Sequence, residues 1–205
     1  LLTGTSSADP YGFSMLVSMD PEGRFEILGC VSLSQDFPLL GTLVNDQGSL
    51  YLAGGYLSTM QGPLVYNKIF KLTAGSDQSL SIETAADFIA PRAAPRVTAS
   101  NGTFYISGGQ GENKTTIGTA GVAKAAAGQQ PEMVNLESFI GTESNLQFSS
   151  GVLADGSVIL AGPVSTDGSA DTYILKKDGS VSQFDKRAWS GNIIVPASAA
   201  YNGAF

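Results

Sequence analysis

The chain has 205 residues, 42% of them hydrophobic, with 25 glycines, 18 acidic and 11 basic side chains, and a formal charge of −7. That balance argues against a nucleic-acid partner, which needs a basic face to displace phosphate counterions, and against adhesion to an anionic membrane surface. Histidine is absent, which removes the commonest transition-metal ligand and the usual general base, so no metal site and no cofactor is expected from these residues.

In chain order, "LLTG" at 1–4 reads as the end of an apolar strand, followed by the polar loop "TSSADPYG" at 5–12. Gly23 in "DPEGRF" marks a turn, and Phe25 and Ile27 flanking Glu26 give the period-two pattern of a half-exposed strand. Cys30, the single cysteine, has no histidine to act as its base and reads as a small buried or half-buried apolar residue. "GSLYLAGGY" at 48–56 places a strand at about 50–53, and the irregular "YLSTMQGP" follows at 56–63. "NKIFKL" is a further strand, Gly75 in "TAGSDQ" a turn, and Leu80 and Ile82 around Ser81 repeat the alternation.

"RVTAS" then leads into Asn101–Gly102, a pair suited to a tight hairpin because both positions favour positive φ. "GTFYISGGQ" at 102–110 puts a strand at about 104–107, followed by "QGENKTTIG" at 110–118. The alanine-rich "GTAGVAKAAAGQQ" passes for a helix locally, yet its place in the pattern makes "AGVAKA" a strand, closed by the Gly128 turn. Asp155–Gly156 is expected to act as Asn101–Gly102 does, opening "GSVILAGPV" at 156–164 with its strand at about 158–161. "VSTDGSAD" at 164–171, the strand "TYILKK" and the Gly179 turn complete the series.

Three marker sets keep one period. Gly4, Gly54, Gly108 and Gly162 are 50, 54 and 54 apart; Gly48, Gly102, Gly156 and Gly203 are 54, 54 and 47 apart; Gly23, Gly75, Gly128 and Gly179 are 52, 53 and 51 apart. Each repeat therefore reads as four short antiparallel strands. The second strands, "LYLA", "FYIS" and "VILA", are apolar nearly throughout, as expected when both faces are covered. Stacked radially, such sheets are the blades of a β-propeller, and a period near 50 is of kelch rather than WD40 length.

"APRAAPRVTASNGTFYISGGQ" at 90–110 resembles the kelch repeat: a proline and arginine lead-in, a strand, a glycine turn, an apolar run and a Gly-Gly pair. "FPLLGTLVNDQGSLYLAGGY" at 37–56 matches it apart from the arginine. Elsewhere Gly162–Pro163 and Gly4–Thr5 replace the pair, and the usual tyrosine-to-tryptophan pair is missing, with Phe70 and Tyr173 near its first position. The whole chain is similar to a diverged member of the wider kelch and galactose-oxidase-like propellers. The expected fold is all-β, about four kelch-length repeats over residues 1–205. "AYNGAF" at the end aligns with "ASNGTF", so "NGAF" and "LLTG" together restore one second strand. Either the repeats close into a ring or, as the break inside a strand favours, they are an arc of a larger propeller.

The resemblance implies that the loops after the second strands share one face with the lead-ins to the first strands, around a central channel where ligands bind. It places Tyr11, Tyr56, Met60, Glu112, Lys114, Arg92 and Arg96 on that face. Arginine suits bidentate grip on a carboxylate. The bland alternatives are solvated loop residues and, for the arginines, ties between adjacent blades; Leu40 and Asn192 stand nearby in other repeats, so no arginine ring forms. Asp167 and Asp171 lack the ligand alternation of a calcium loop, the sequons at Asn101 and Asn113 are of chance frequency, and Trp189 reads as a filler between blades.

Two functions fit. The first is a non-enzymatic module binding a protein or glycan on its loop face, without membrane insertion; its acidic, lysine-poor surface fits a secreted or cell-envelope protein. The second is a carbohydrate-active enzyme like the sialic-acid epimerases of the kelch type, with Arg92, Arg96 and Glu112 as candidates. The copper oxidase of the same superfamily is disfavoured, because no histidine is present to hold copper.

Overall fold

The computed structural model of the chain describes residues 2–4, 13–32, 38–59, 62–111, 121–135, 149–164 and 169–190. Regular structure there is entirely β, and among the described residues no helix is long and apolar enough to cross a membrane. The first sheet holds β1 (Leu2–Gly4), β2 (Phe13–Met19) and β3 (Phe25–Ser32), in that order. The second holds β4 (Thr42–Asp46), β5 (Ser49–Ala53), β8 (Lys68–Ala74) and β9 (Leu80–Asp87), with the two-stranded ladder of β6 (Tyr56–Thr59) and β7 (Gly62–Val65) inserted after β5. The third is β10 (Arg96–Ser100), β11 (Thr103–Ser107), β12 (Gly121–Ala126) and β13 (Glu132–Asn135). The fourth is β14 (Ser149–Val152), β15 (Val158–Val164), β16 (Ser169–Leu175) and β17 (Val181–Ser190).

The three expected apolar runs are thus strands β5, β11 and β15, each second in its four-stranded sheet. β1 pairs with β2 as β5 does with β8, which fits the reading of "LLTG" as a second strand. The alanine-rich stretch is strand β12, not a helix. "YLSTMQGP" is not an irregular loop over its whole length, because β6 and β7 pair across it, Tyr56 with Val65 and Thr59 with Gly62.

Turn chemistry explains most of the register. Gln47–Gly48 (φ 51 and 83) and Asn101–Gly102 (φ 52 and 77) both have two left-handed residues, the geometry that matches strand twist in a two-residue hairpin. Asp155–Gly156 departs from expectation. Only Gly156 is left-handed (φ 81), and the Leu153 N–H donates to Ser157 O at 2.8 Å across a longer turn. Gly75 departs as well: the left-handed place taken elsewhere by Gly23, Gly128 and Gly179 is filled here by Gln78 (φ 61), whose N–H donates back to Gly75 O at 3.0 Å.

The second strands β5 and β11 each serve two cores at once. Phe104 and Ile106 of β11 join Ala53, Ile69 and Phe88 of the second sheet, whereas Tyr105 joins Val158, Leu160 and Tyr173 of the fourth. Leu52 of β5 likewise packs with Leu16 of the first sheet, while Ala53 beside it faces the third. Strand alternation carries successive side chains to opposite faces, so an apolar run without polar relief is what a doubly covered strand requires. Tyr51 meets Phe104 edge-on, ring centroids 4.9 Å apart.

Polar ties join the sheets near their turns. Asp46 accepts from the N–H groups of Asn101 and Gly102 (3.1 and 2.6 Å), Gln47 Nε2 donates to Asn101 Oδ1 (2.7 Å), and Ser100 Oγ donates to Gly156 O (3.4 Å). Asn101 therefore holds a neighbouring sheet in addition to shaping its own hairpin. Two expectations about the first sheet fail. Cys30 is exposed rather than buried, at the point where its N–H donates to Gln78 O of the second sheet. Phe25 and Ile27 are 71% and 45% exposed, because contact with the second sheet is made by Leu16 and Leu28 instead. The side chain of Trp189 lies outside the described residues, as do residues 1 and 205, on which the ring-or-arc question turns.

Candidate functional site

The second strands end at paired glycines, and the chain leads into the first strands beside them. Leu40 (φ 52) and Ala94 (φ 49) are both left-handed and lie 54 residues apart. Leu39 forms an isolated bridge with Tyr56, and Ala93 forms the matching one with Gln110. The two lead-ins are therefore one structure written twice, with Pro38 and Arg92 at equivalent places, both buried. Only glycine fits beside them. Gly54 is left-handed (φ 65), and a Cβ there would lie against the Arg92 carbonyl oxygen.

Arg92 has no exposed surface. Its N–H donates to Tyr66 O at 3.0 Å and its carbonyl accepts from Gly55 N–H at 2.8 Å, both in the second sheet's part of the chain. Its Nη1 donates at 2.9 Å to Gly108 O at the end of β11. This is the geometry of a tie between sheets. The guanidinium is nonetheless undersatisfied, for Nε and Nη2 have no hydrogen-bond partner among the described residues. Burial pushes its pKa down to about 10, which leaves it protonated at neutral pH.

Arg96 differs. It opens β10 opposite Ser107, is half-buried, and has no ion-pair or hydrogen-bond partner for its guanidinium among the described residues. Tyr56 is half-buried at the start of β6, with its backbone held in both directions by Leu39 at 2.8 Å. The structure so brings Tyr56, Arg92 and Arg96 to one edge. Tyr11, Met60, Glu112 and Lys114 lie outside the described residues.

Sequence reasoning missed the apolar character of this edge. Leu40 beside the Leu39–Tyr56 bridge, Leu64 on β7 and Ile89 after β9 are 60%, 48% and 37% exposed. Leu40 was visible only as a member of a strand lead-in, and Leu64 falls just beyond the loop read at 56–63. The β6–β7 ladder is what lifts Leu64 into solvent. Chemically the edge offers a free guanidinium, a phenol and apolar surface. Among the described residues no three His, Cys, Asp or Glu side chains gather to hold a metal ion.

No family model matches the chain, and no curated protein does. Among solved structures, that of YjhT aligns with 83% of this chain at a TM-score of 0.50 and 16% sequence identity. The likeness is one of fold. This chain spans 52% of that one, about half its length.

Proposed function

We propose that the chain forms a run of kelch-like propeller blades and works as a non-enzymatic binding module, taking a protein or glycan ligand on the edge that carries Tyr56 and Arg96. The observation behind this reading is the company Arg96 keeps. An unpaired guanidinium stands at the same edge as a tyrosine and three exposed apolar side chains, Leu40, Leu64 and Ile89. Arginine, tyrosine and apolar surface together are the composition of a recognition patch. The apolar component favours a protein ligand with an acidic group for Arg96.

The test is to probe arrays of acidic peptides and of glycans with the parent chain, Arg96→Ala and Leu64→Ser. Both changes are at positions with exposed or half-buried side chains, so the fold should survive. Loss of a charge-assisted contact should weaken binding by roughly tenfold or more in Arg96→Ala. Binding untouched by either substitution would show the ligand to lie elsewhere. Interconversion of sugar anomers on a bound glycan would favour the enzymatic reading instead.

A further inference from the structure

At the opposite edge, where the third and fourth sheets face one another beyond their turns, lies a cavity of about 370 Å³. The edge is opposite because Val158, the first residue of β15, pairs with Leu175, whereas the end of β15 at Val164 belongs with the paired-glycine positions. This volume is at the lower end of the range used by small-molecule sites. Val134, Leu175 and Val181 line it and continue the core between the two sheets.

Its polar lining is unusual for this chain. Lys124, Lys176 and Lys177 all contribute, three of seven lysines in a molecule of charge −7. Glu132 is the one carboxylate among the described lining residues; its Oε1 pairs with Lys124 Nζ at 2.7 Å, an interaction that raises the lysine's pKa and keeps it charged, and two of the three N–H donors of Lys124 remain. Asp155 and Asp178 stand near Lys177 and Lys176 on the solvent side, outside the lining. Tyr105 is only 8% exposed, lines the same cavity, and its hydroxyl has no hydrogen-bond partner among the described residues. Burial raises its pKa, so the phenol remains a donor at neutral pH. The hydroxyl thus offers the cavity a donor that a ligand acceptor can take.

We propose that this cavity binds a small amphipathic carboxylate, its apolar body against Val134, Leu175 and Val181 and its carboxylate accepting from Lys124 and the Tyr105 hydroxyl. Neither part of the lining explains the other: the lysines alone are surface charge, and the apolar floor alone is a gap between sheets. Their meeting over an unmatched phenol is what specifies an anion with an apolar body.

Phenylacetate serves as the probe, titrated into the whole isotope-labelled chain and followed by amide chemical shifts, with 2-phenylethanol as the neutral counterpart and sulfate as the plain anion. Saturable shifts at Tyr105, Lys124, Leu175 and Val181 with phenylacetate alone are expected. Tyr105→Phe removes one hydrogen bond and should weaken binding about three- to tenfold. Glu132→Gln frees Lys124 from its competitor and should tighten it by a few-fold, roughly the size expected when a charged acceptor is withdrawn. A merely structural Glu132 gives no such gain. No saturation at millimolar phenylacetate overturns the proposal. So do equal shifts with 2-phenylethanol, which mean an apolar cleft only, or with sulfate, which mean an adventitious ion only. Affinity unmoved by both substitutions overturns it too.

Discussion

Pro38 and Arg92 occupy equivalent places in successive repeats, yet one is an apolar ring and the other a buried charge. The framework asks only for a side chain that fills the space beside Gly109, as Pro38 does beside Gly55. Arg92 fills it and adds one bond to Gly108 O, at the cost of burying a guanidinium with two nitrogens unmatched. Removing such a charge while keeping its volume is often neutral or favourable, whereas removing the volume leaves a cavity. Arg92→Met should stay within about 1 kcal/mol of the parent in urea unfolding or exceed it, and Arg92→Ala should lose about 2–4 kcal/mol. A large loss in the methionine variant would mean that Nε and Nη2 have an acceptor after all. The pH dependence follows from the direction of the shift. A base whose pKa falls on folding destabilises the folded state wherever it is protonated in both states, so the penalty persists at neutral pH and is relieved only as pH rises above about 10.

At the scale of turns, one device recurs. Asp77, Asp155 and Asp178 each accept from the N–H of the serine two residues on (3.1, 2.8 and 2.8 Å), so an Asp-X-Ser triplet closes three separate turns. These bonds, chiefly those to the serines, hold all three carboxyls below the usual 3.8. A depressed carboxylate stabilises the fold above its unfolded pKa, and that contribution is lost as pH falls through the lower folded value. Asp155→Ala should therefore lower the urea midpoint at pH 7 and flatten its acid dependence below about pH 4, while Asp155→Asn, which keeps the acceptor, should retain most of the midpoint. Glycine positions divide in the same physical way. Gly54→Ala drives a Cβ into the Arg92 carbonyl and should cost more than about 3 kcal/mol, whereas Gly48→Ala meets no atom within 4 Å and carries only the left-handed strain of about 1 kcal/mol. Such distinctions set the limit of what could be read beforehand. Asn101–Gly102 was legible because a two-residue hairpin has a local signature. Gly75 marked its turn, but Gln78 takes the left-handed place there, and no residue type announces that. Arg96 and Tyr56 were placed by resemblance, but the β6–β7 ladder that exposes Leu64 depends on pairing across residues without strand-like alternation. The cavity by Tyr105 was not legible at all, because Lys124, Glu132 and Lys176 meet only when two sheets about one period apart are stacked.

Across the described residues, three cores alternate with the sheets, and the second strands β5 and β11 belong to two of them at a time. Stability should be distributed accordingly. Leu16, 4% exposed and packed on Leu52 and Phe70, should cost about 2–5 kcal/mol when cut to alanine, while Phe25→Ser, at a side chain 71% exposed, should stay within about 0.5 kcal/mol. The same logic orders the backbone. β5, β11 and β15 are paired on both sides within their sheets. Their side chains are covered on both faces, with Leu52, Ile106 and Val158 fully buried. The outer strands β3 and β9 have a single in-sheet partner each, and β9 alternates buried and exposed positions. An amide whose release requires two ladders and two cores to open exchanges only through near-global unfolding, whereas an outer strand can part from its one neighbour. Hydrogen exchange followed by mass spectrometry should therefore find the slowest amides at residues 50–53, 104–107 and 158–161, with β3 and β9 faster under the same conditions. Equal protection of β9 and β5 would mean that the outer strand is secured by a further sheet or partner chain, and would contradict the gradient of protection expected from the second strands to the outer ones.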